Sequence, residues 1–256
     1  MFTQAIVRPP AHNFAKGITT SKLGHPDVPL ALTQHEDYCQ ALEQCGLDLI
    51  RLRANPNFPD STFVEDTAIL TEAWAVITRP GAPSRNGEVT SIVSILEQFY
   101  PELGVIKAPG TVDGGDICET EGHFFIGLSE RTNEVGARQL ARHLAENGLR
   151  STCINIRGLP GLLHLKSGLS YLGDNRLVVN AALADQPAFQ SYERIIPPPA
   201  EAYAANCIRV NEFVLLPVGY PVIEATVRSL GYRVITLDMS EFQKMDGGLS
   251  CLSLRF

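Results

Sequence analysis

The sequence predicts a mixed α/β fold in which one ββαβ-type unit is repeated five times, and three observations predict it. Turn-bounded pairs of short apolar β-type segments begin at roughly 65, 115, 164, 206 and 251, a spacing inside the range that marks repeats and radial arrays. A helical pattern follows most of these pairs. The last strand segment, 250–255, has no partner left downstream, and Ala5-Ile6-Val7-Arg8 suits it, so the two ends of the chain close a ring. Five such units fill residues 1–256 and leave no second domain.

The elements follow in order. Ala68-Ile69-Leu70 and Trp74-Ala75-Val76-Ile77 flank the turn Thr71-Glu72-Ala73, and Arg79-Pro80-Gly81 ends this first hairpin. A helix over 87–100 comes next, with Val89, Ile92, Val93, Ile95, Leu96 and Phe99 on its apolar side. The second hairpin, 116–128, turns at Glu121-Gly122, and its helix, 133–146, stops at Asn147-Gly148. The third, 163–180, turns at Gly173-Asp174-Asn175 and leads into a helical segment over 181–192. The fourth, 206–217, turns at Asn211-Glu212 before a helix over 222–230 and a strand over 233–236. A helix over 34–45 completes the fifth unit, and Thr33 with Glu36 has the Thr-x-x-Glu spacing of a capping box.

Composition narrows the function. The 256 residues are 45% hydrophobic and 19% charged, with no run of the roughly 18 to 20 apolar residues that a membrane helix requires. The N-terminal residues carry no secretion signal, which makes the cytoplasm the expected compartment. Six cysteines at 39, 45, 118, 153, 207 and 251 form no zinc spacing and read as thiols, so neither a metal site nor a disulfide frame is expected. A formal charge of -7 without basic runs argues against nucleic acid and anionic membranes, and an acidic cleft would attract a small cation.

In a ring of five units the first strands begin near a common axis, where the chain places Glu65-Asp66, Asp113 and Asp116, His164, Asn206 and Cys251. One pattern occurs there twice, as Asp113-Gly114-Gly115-Asp116-Ile117-Cys118 and as Asp246-Gly247-Gly248-Leu249-Ser250-Cys251. A lone cysteine on an apolar strand is ordinarily small hydrophobic filler, the reading given to the other five. Cys251 differs because Gly247-Gly248 precedes it, Ser250 and Ser253 flank it, and its repeat phase matches that of His164. A nucleophile beside a base is the pattern these features suit. The remaining histidines, His35 among them, read as loop, turn or exposed-helix residues.

Asp60, Phe63, Glu65 and Asp66 form either a solvated turn or a clamp for a planar cation, since carboxylates bind a guanidinium fork and a phenyl face covers it. Arg85 and Arg131, in loops just after hairpins, are either solvated or a pair that holds a carboxylate. The glycines at 114 and 115 fit no phosphate-binding loop and read as a tight turn, so no nucleotide cofactor is indicated.

Phe63-Val64-Glu65-Asp66, Asp113-Gly114-Gly115-Asp116, Arg131-Thr132-Asn133, Leu163-His164-Leu165-Lys166, Ala204-Ala205-Asn206-Cys207 and the terminal Asp246–Cys251 pattern together resemble the dimethylarginine dimethylaminohydrolases of the guanidino-group-modifying superfamily. The resemblance runs nearly end to end. It implies a five-bladed, pseudo-symmetric α/β propeller, the pentein fold, acting as a single catalytic domain on Nω-methylated arginines, with citrulline and a methylamine as products and no cofactor. It implies Cys251 as nucleophile, His164 as general acid and base, and Asp113 as the carboxylate that orients the histidine. Asp66 would grip the guanidinium, with Asp60, Phe63 and Glu65 lining the same end. Arg85 and Arg131 would hold the α-carboxylate. The loop 16–24, including Ile18, resembles the family's lid, and a homodimer is compatible with the resemblance. Bacterial members more often carry Glu at the position of Asp113.

Guanidinium carbon is a poor electrophile because its charge is delocalised, so hydrolysis needs carboxylates to fix the cation and a thiolate to attack it. Nearby positive charge, from the bound guanidinium or a protonated imidazole, favours that thiolate. Arginine deiminase and amidinotransferase share this logic in generally longer chains. A ribosome anti-association factor shares the propeller without the Cys, His and acid set, and a redox-sensing thiol is a further reading.

Overall fold

The computed structural model describes residues 1–256. In chain order the elements are β1 Gln4–Val7, α1 Val28–Gln44, β2 Asp48–Arg51, β3 Ala68–Leu70, β4 Ala75–Ile77, α2 Val89–Leu96 and β5 Leu103–Val105. They continue with β6 Ile117–Glu119, β7 His123–Leu128, α3 Glu134–Glu146, β8 Arg150–Asn155, β9 Leu169–Gly173, β10 Arg176–Val179 and β11 Glu193–Ile195. The last are β12 Ile208–Val210, β13 Phe213–Pro217, α4 Pro221–Ser229, β14 Arg233–Leu237, α5 Ser240–Gln243 and β15 Ser253–Arg255.

These strands form five three-stranded sheets with one shared build. An antiparallel hairpin supplies the first two strands, and the second also pairs in parallel with a third, as in β3-β4-β5 and β6-β7-β8. The same holds for β9-β10-β11 and β12-β13-β14. In the remaining sheet the first strand comes from the far end of the chain: β15 lies antiparallel to β1, with Ala5 opposite Arg255 and Val7 opposite Ser253, and β1 runs parallel to β2. A parallel neighbour has to be reached by a crossover, and α1, α2, α3 and α4 provide it in four of the five sheets. Central strands pair on both edges and are apolar: Ala75-Val76-Ile77 of β4 and Phe124-Phe125-Ile126 of β7 are buried. The third strands are half-exposed edges, as in β2 and β14.

The chain divides into two compact units. Glu65–Ser167 holds the β3-β4-β5 and β6-β7-β8 sheets around a core of Ile69, Val76, Phe124, Ile126, Leu140 and Leu144. Met1–Val64 with Gly168–Phe256 holds the other three. There Phe14, Phe63 and Phe242 meet with ring centroids 5.6 to 6.4 Å apart. A second cluster in that unit places Val214 and Leu216 of β13 against Ile223 and Val227 of α4.

A short 3-10 turn leads into the first strand of every sheet: Val64–Thr67, Gly114–Asp116, Leu165–Ser167, Pro199–Ala205 and Ser250–Leu252. The terminal strand therefore begins at Ser253, and Cys251 lies on a turn, not on the strand expected over 250–255. The repeated Asp-Gly-Gly pattern is out of structural step. Its first copy enters the 3-10 turn at once, whereas its second ends before a turn that starts at Ser250, so Cys118 lies within a strand and Cys251 ahead of one. Cys251 shares its position, two residues ahead of the first strand, with Asp66 and Asn206. His164 stands five residues ahead of β9. The expected common phase of Cys251 and His164 is thus corrected: chemistry sits on both flanks of the leading turns.

Three other expectations change. α1 begins at Val28, where Asp27 caps it by accepting from the Leu30 N–H and Pro29 occupies the first turn. Thr33 is helix interior and donates to the Pro29 carbonyl, so the Thr33/Glu36 pair is no capping box. No α-helix forms over 181–192. Asn180 turns back to accept from the Ala182 N–H, Pro187 supplies no donor, and only the 3-10 turn Pro187–Phe189 results. His35 is buried within α1, 3.6 Å from the Cys39 sulfur, and burial pushes its pKa down to about 4.

Candidate active site

In the unit Glu65–Ser167, three leading turns deliver polar side chains to one buried cluster. Asp113 directly precedes the turn Gly114–Asp116 and is fully buried. Its Oδ2 lies 3.0 Å from His164 Nε2, and its Oδ1 accepts from the Gly81 N–H at 2.7 Å. Asp66 accepts from the Gly115 N–H at 2.9 Å through Oδ1 and from Arg85 Nη1 at 2.6 Å through Oδ2. Gly115 is required for space: a Cβ there would meet His164 Nδ1 at 2.7 Å and Asp66 Oδ1 at 3.1 Å. Its φ is not in the left-handed region, so close approach and not turn geometry selects the glycine.

Charge sets the protonation of this cluster. Burial by itself would lower the His164 pKa, but Asp66, the hydrogen bond that the imidazole donates to Asp113, and Asp116 outweigh it and raise the imidazole to about 9. Burial likewise opposes ionisation of Asp66, but facing His164 and the Arg85 guanidinium hold that carboxyl down at about 2. Imidazolium and carboxylates therefore stabilise one another at neutral pH. Asp66, Asp113 and His164 offer ligand-type atoms within 4.8 Å of one another. These carboxylates already accept from Gly115, Arg85, Gly81 and His164, and a protonated imidazole has no lone pair to give a cation.

The two arginines differ. Arg85 is 4% exposed, with Glu88 gripping Nε and Nη2 and Asp66 gripping Nη1. Arg131 is more open and lies 4.0 Å from Asp113. Glu65 is ion-paired with Lys166 at 2.6 Å. Glu88 and Lys166 had no signal in the sequence, because a single glutamate in a helix start or lysine in a turn reveals its partner only in three dimensions.

In the other unit, Cys251 is half-buried on its turn, its sulfur 3.9 Å from Ser250 Oγ. Asn206 grips Ser250 twice, accepting from its N–H at 3.1 Å and donating to its Oγ at 3.0 Å. Gly248 leaves room for that amide, and Gly247 leaves room for the Phe63 ring. Asn206, which the sequence places only at the start of a first strand, thus braces the turn that carries Cys251. Asp60 is buried and accepts from the Ile18 N–H through both oxygens, at 3.0 and 3.2 Å. Asp246 accepts from the Thr19 and Thr20 hydroxyls, so loop 16–24 is tied at two points while Ile18 itself is 40% exposed. Phe63 packs with Phe14 and Phe242.

One unit thus holds a histidine against a buried carboxylate with a second buried acid facing it, and the other holds a half-buried cysteine on a glycine-preceded turn. The chain belongs to the arginine deiminase family, whose profile matches residues 52–210. Within it the likeness is to the dimethylarginine dimethylaminohydrolases: 47% identity over 257 residues, spanning 100% of both chains, with that of Pseudomonas aeruginosa. Identity with that of Streptomyces coelicolor is 30%, over 98% of this chain and 96% of the relative. The structure of the Pseudomonas aeruginosa enzyme as a cysteine-to-serine mutant complexed with citrulline matches at TM-score 0.97 and 46% identity over 100% of both chains. The N-terminal domain of ArgZ, at 18% identity and TM-score 0.88 over 100% of this chain and 97% of its own, shares the fold, which is the five-bladed α/β propeller.

Proposed function

We propose that this protein hydrolyses Nω-methylated arginines to citrulline and dimethylamine or methylamine, as a single catalytic domain spanning residues 1–256. The observation that carries the reading is the end-to-end identity of 47% with a dimethylarginine dimethylaminohydrolase. The buried Asp113–His164 pair, with His164 raised to about 9, supports it from the chemistry.

In the proposed reaction the Cys251 thiolate adds to the guanidinium carbon, forming a C–S bond and a tetrahedral adduct. His164, protonated at neutral pH, gives its proton to the methylated nitrogen, the C–N bond breaks, and the amine leaves. The S-alkylthiouronium left on Cys251 is attacked by water, whose proton goes to the now neutral His164. Cleavage of the C–S bond then releases the thiolate and citrulline, whose carbonyl forms as the remaining hydroxyl proton passes through solvent to the departed amine. Asp113 keeps the imidazole oriented. Asp66 is assigned the substrate guanidinium, Asp60, Phe63 and Glu65 the walls around it, Ile18 the covering loop, and Arg85 with Arg131 the α-carboxylate.

The cytoplasm is the proposed compartment, in keeping with six cysteines of which none is in a disulfide. No helix is long and apolar enough to cross a membrane. A homodimer is the proposed assembly, to be read by sedimentation.

Incubation with asymmetric dimethylarginine, monomethylarginine and arginine, separately, tests the reading through citrulline and released amine. Citrulline from the methylated substrates is expected. Citrulline from arginine alone favours a deiminase, and none from any substrate overturns the hydrolase assignment. Cys251→Ser is expected to abolish turnover and leave substrate binding largely intact. Near-wild-type turnover in that variant would sink the nucleophile assignment.

A further inference from the structure

Asp116 has no part in the reaction above, yet it is fully buried and every polar contact it makes leads to a residue assigned to the site. Its Oδ1 accepts from the Leu165 N–H at 3.0 Å, the first peptide after His164. Its Oδ2 accepts from the Ser129 hydroxyl at 2.6 Å. Ser129 Oγ in turn accepts from the N–H groups of Arg131 at 2.9 Å and Thr132 at 3.1 Å. Thr132 Oγ1 accepts from the Asp113 N–H at 3.1 Å, and the Asp116 N–H returns to the Asp113 carbonyl at 3.0 Å. Asp113, Thr132, Ser129 and Asp116 thus close a circuit of hydrogen bonds, and the His164 turn is attached to it through Leu165. Gly127 makes room for it, since a Cβ there would lie 2.8 Å from Leu165 Cβ and 2.9 Å from Asp116 Oδ1.

We infer that Asp116 is a positioning residue, which locks the His164 turn to the loop bearing Arg131 and lends its charge to the histidine. The inference rests on the roles proposed for those two residues. Two observations favour it over a purely architectural carboxylate. Burying a charge is costly, and an amide would satisfy the Leu165 peptide without that cost. Asp116 also belongs to the set of acids, with Asp66 and Asp113, that holds His164 protonated, while Arg85 pairs with Asp66 and Arg131 lies beside Asp113.

The test is Asp116→Asn with Ser129→Ala as its companion, each read by an NMR titration of the His164 imidazole and by kcat and KM with asymmetric dimethylarginine. In Asp116→Asn the His164 pKa should fall by about half a unit or more, and kcat about tenfold or more. Ser129→Ala keeps the carboxyl, removes one of its donors and loses the link to the Arg131 loop, so KM should rise severalfold while the His164 pKa moves less than in Asp116→Asn. A thermally stable Asp116→Asn protein with wild-type His164 pKa and kcat overturns the proposal. If Asp116→Asn does not fold, Ser129→Ala decides: unchanged KM overturns the lock, and a raised KM restored by Ser129→Thr supports it. Wild-type turnover, measured first, separates the two levels: absence of citrulline there fails the proposed reaction, whereas an unmoved His164 titration fails this inference.

Discussion

His164 ties the protein's stability to pH with a definite sign. Its pKa is raised from 6.5 to about 9 in the fold, so the stabilisation it brings is complete below 6.5 and is lost as pH rises through 9. Asp66 works in the opposite sense: lowered from 3.8 to about 2, it stabilises above 3.8 and ceases to do so as pH falls through 2. The urea midpoint is therefore expected to decline between pH 6.5 and 9.5 in the wild type and to decline less in His164→Gln. Parallel declines would refute the sign. The arginines offer a second residue-scale contrast. Replacing Arg85 by Met strands the buried carboxylates of Asp66 and Glu88, and a stability loss of about 3–5 kcal/mol is expected in urea unfolding. Arg131→Ala removes a more open cation, so a raised KM with a small change in the unfolding midpoint is expected. Residue identity brings Asp66, Asp113, His164 and Cys251 forward as candidates because thiol, imidazole and carboxylate are rare at strand starts. Arg85 shows the limit. As one letter it is a loop arginine, and its ion pair with Glu88 and Asp66 exists only once a helix start and a leading turn are brought together.

At the scale of elements, hairpins and helices with strong local signals were legible. β3 with β4, β6 with β7 and α3 lie where turn residues and apolar spacing placed them, and Asn133 caps α3 by accepting from the Gly136 N–H. The misplacements share a cause, which is competition between two local signals. Thr33 and Glu36 have capping-box spacing, yet Asp27 and Pro29 supply a cap and first turn six residues earlier, and the longer helix buries Ala31, Tyr38 and Leu42 on one face. Asp27→Ala is expected to cost about 1 kcal/mol, and Thr33→Ala much less, by urea unfolding. Equal costs would restore the capping-box reading. Across 181–192, apolar residues of helical spacing were overridden by Asn180 and Pro187, which commit the backbone to turns.

For the whole molecule, the β1–β15 ladder was legible from a simple accounting: a terminal strand with no downstream partner, and an apolar strand at the other end. Removing Ser253–Phe256 strips β1 of its antiparallel neighbour and of the bonds from the Thr3 and Gln4 N–H groups to the Phe256 carbonyl. Loss of the cooperative transition in that truncated chain is expected by circular dichroism. The proposed single domain predicts one unfolding transition for the full chain, and two separable transitions would overturn it.

Periodicity, turn residues and the strand left over at each end were sufficient for five repeated three-stranded units, four of them with a crossover helix, and for which residue types stand at their starts, because these signals act over a few neighbouring residues. Tertiary structure alone decided that Cys251 lies on a 3-10 turn in step with Asp66 and not with His164, and that Gly115 serves close packing. It alone decided that Arg85 is bound by two acids and that Asp116 joins the His164 turn to the Arg131 loop. Hydrogen bonds and ion pairs between residues 13 to 51 positions apart leave no periodic trace in a sequence, and they set the charge of His164.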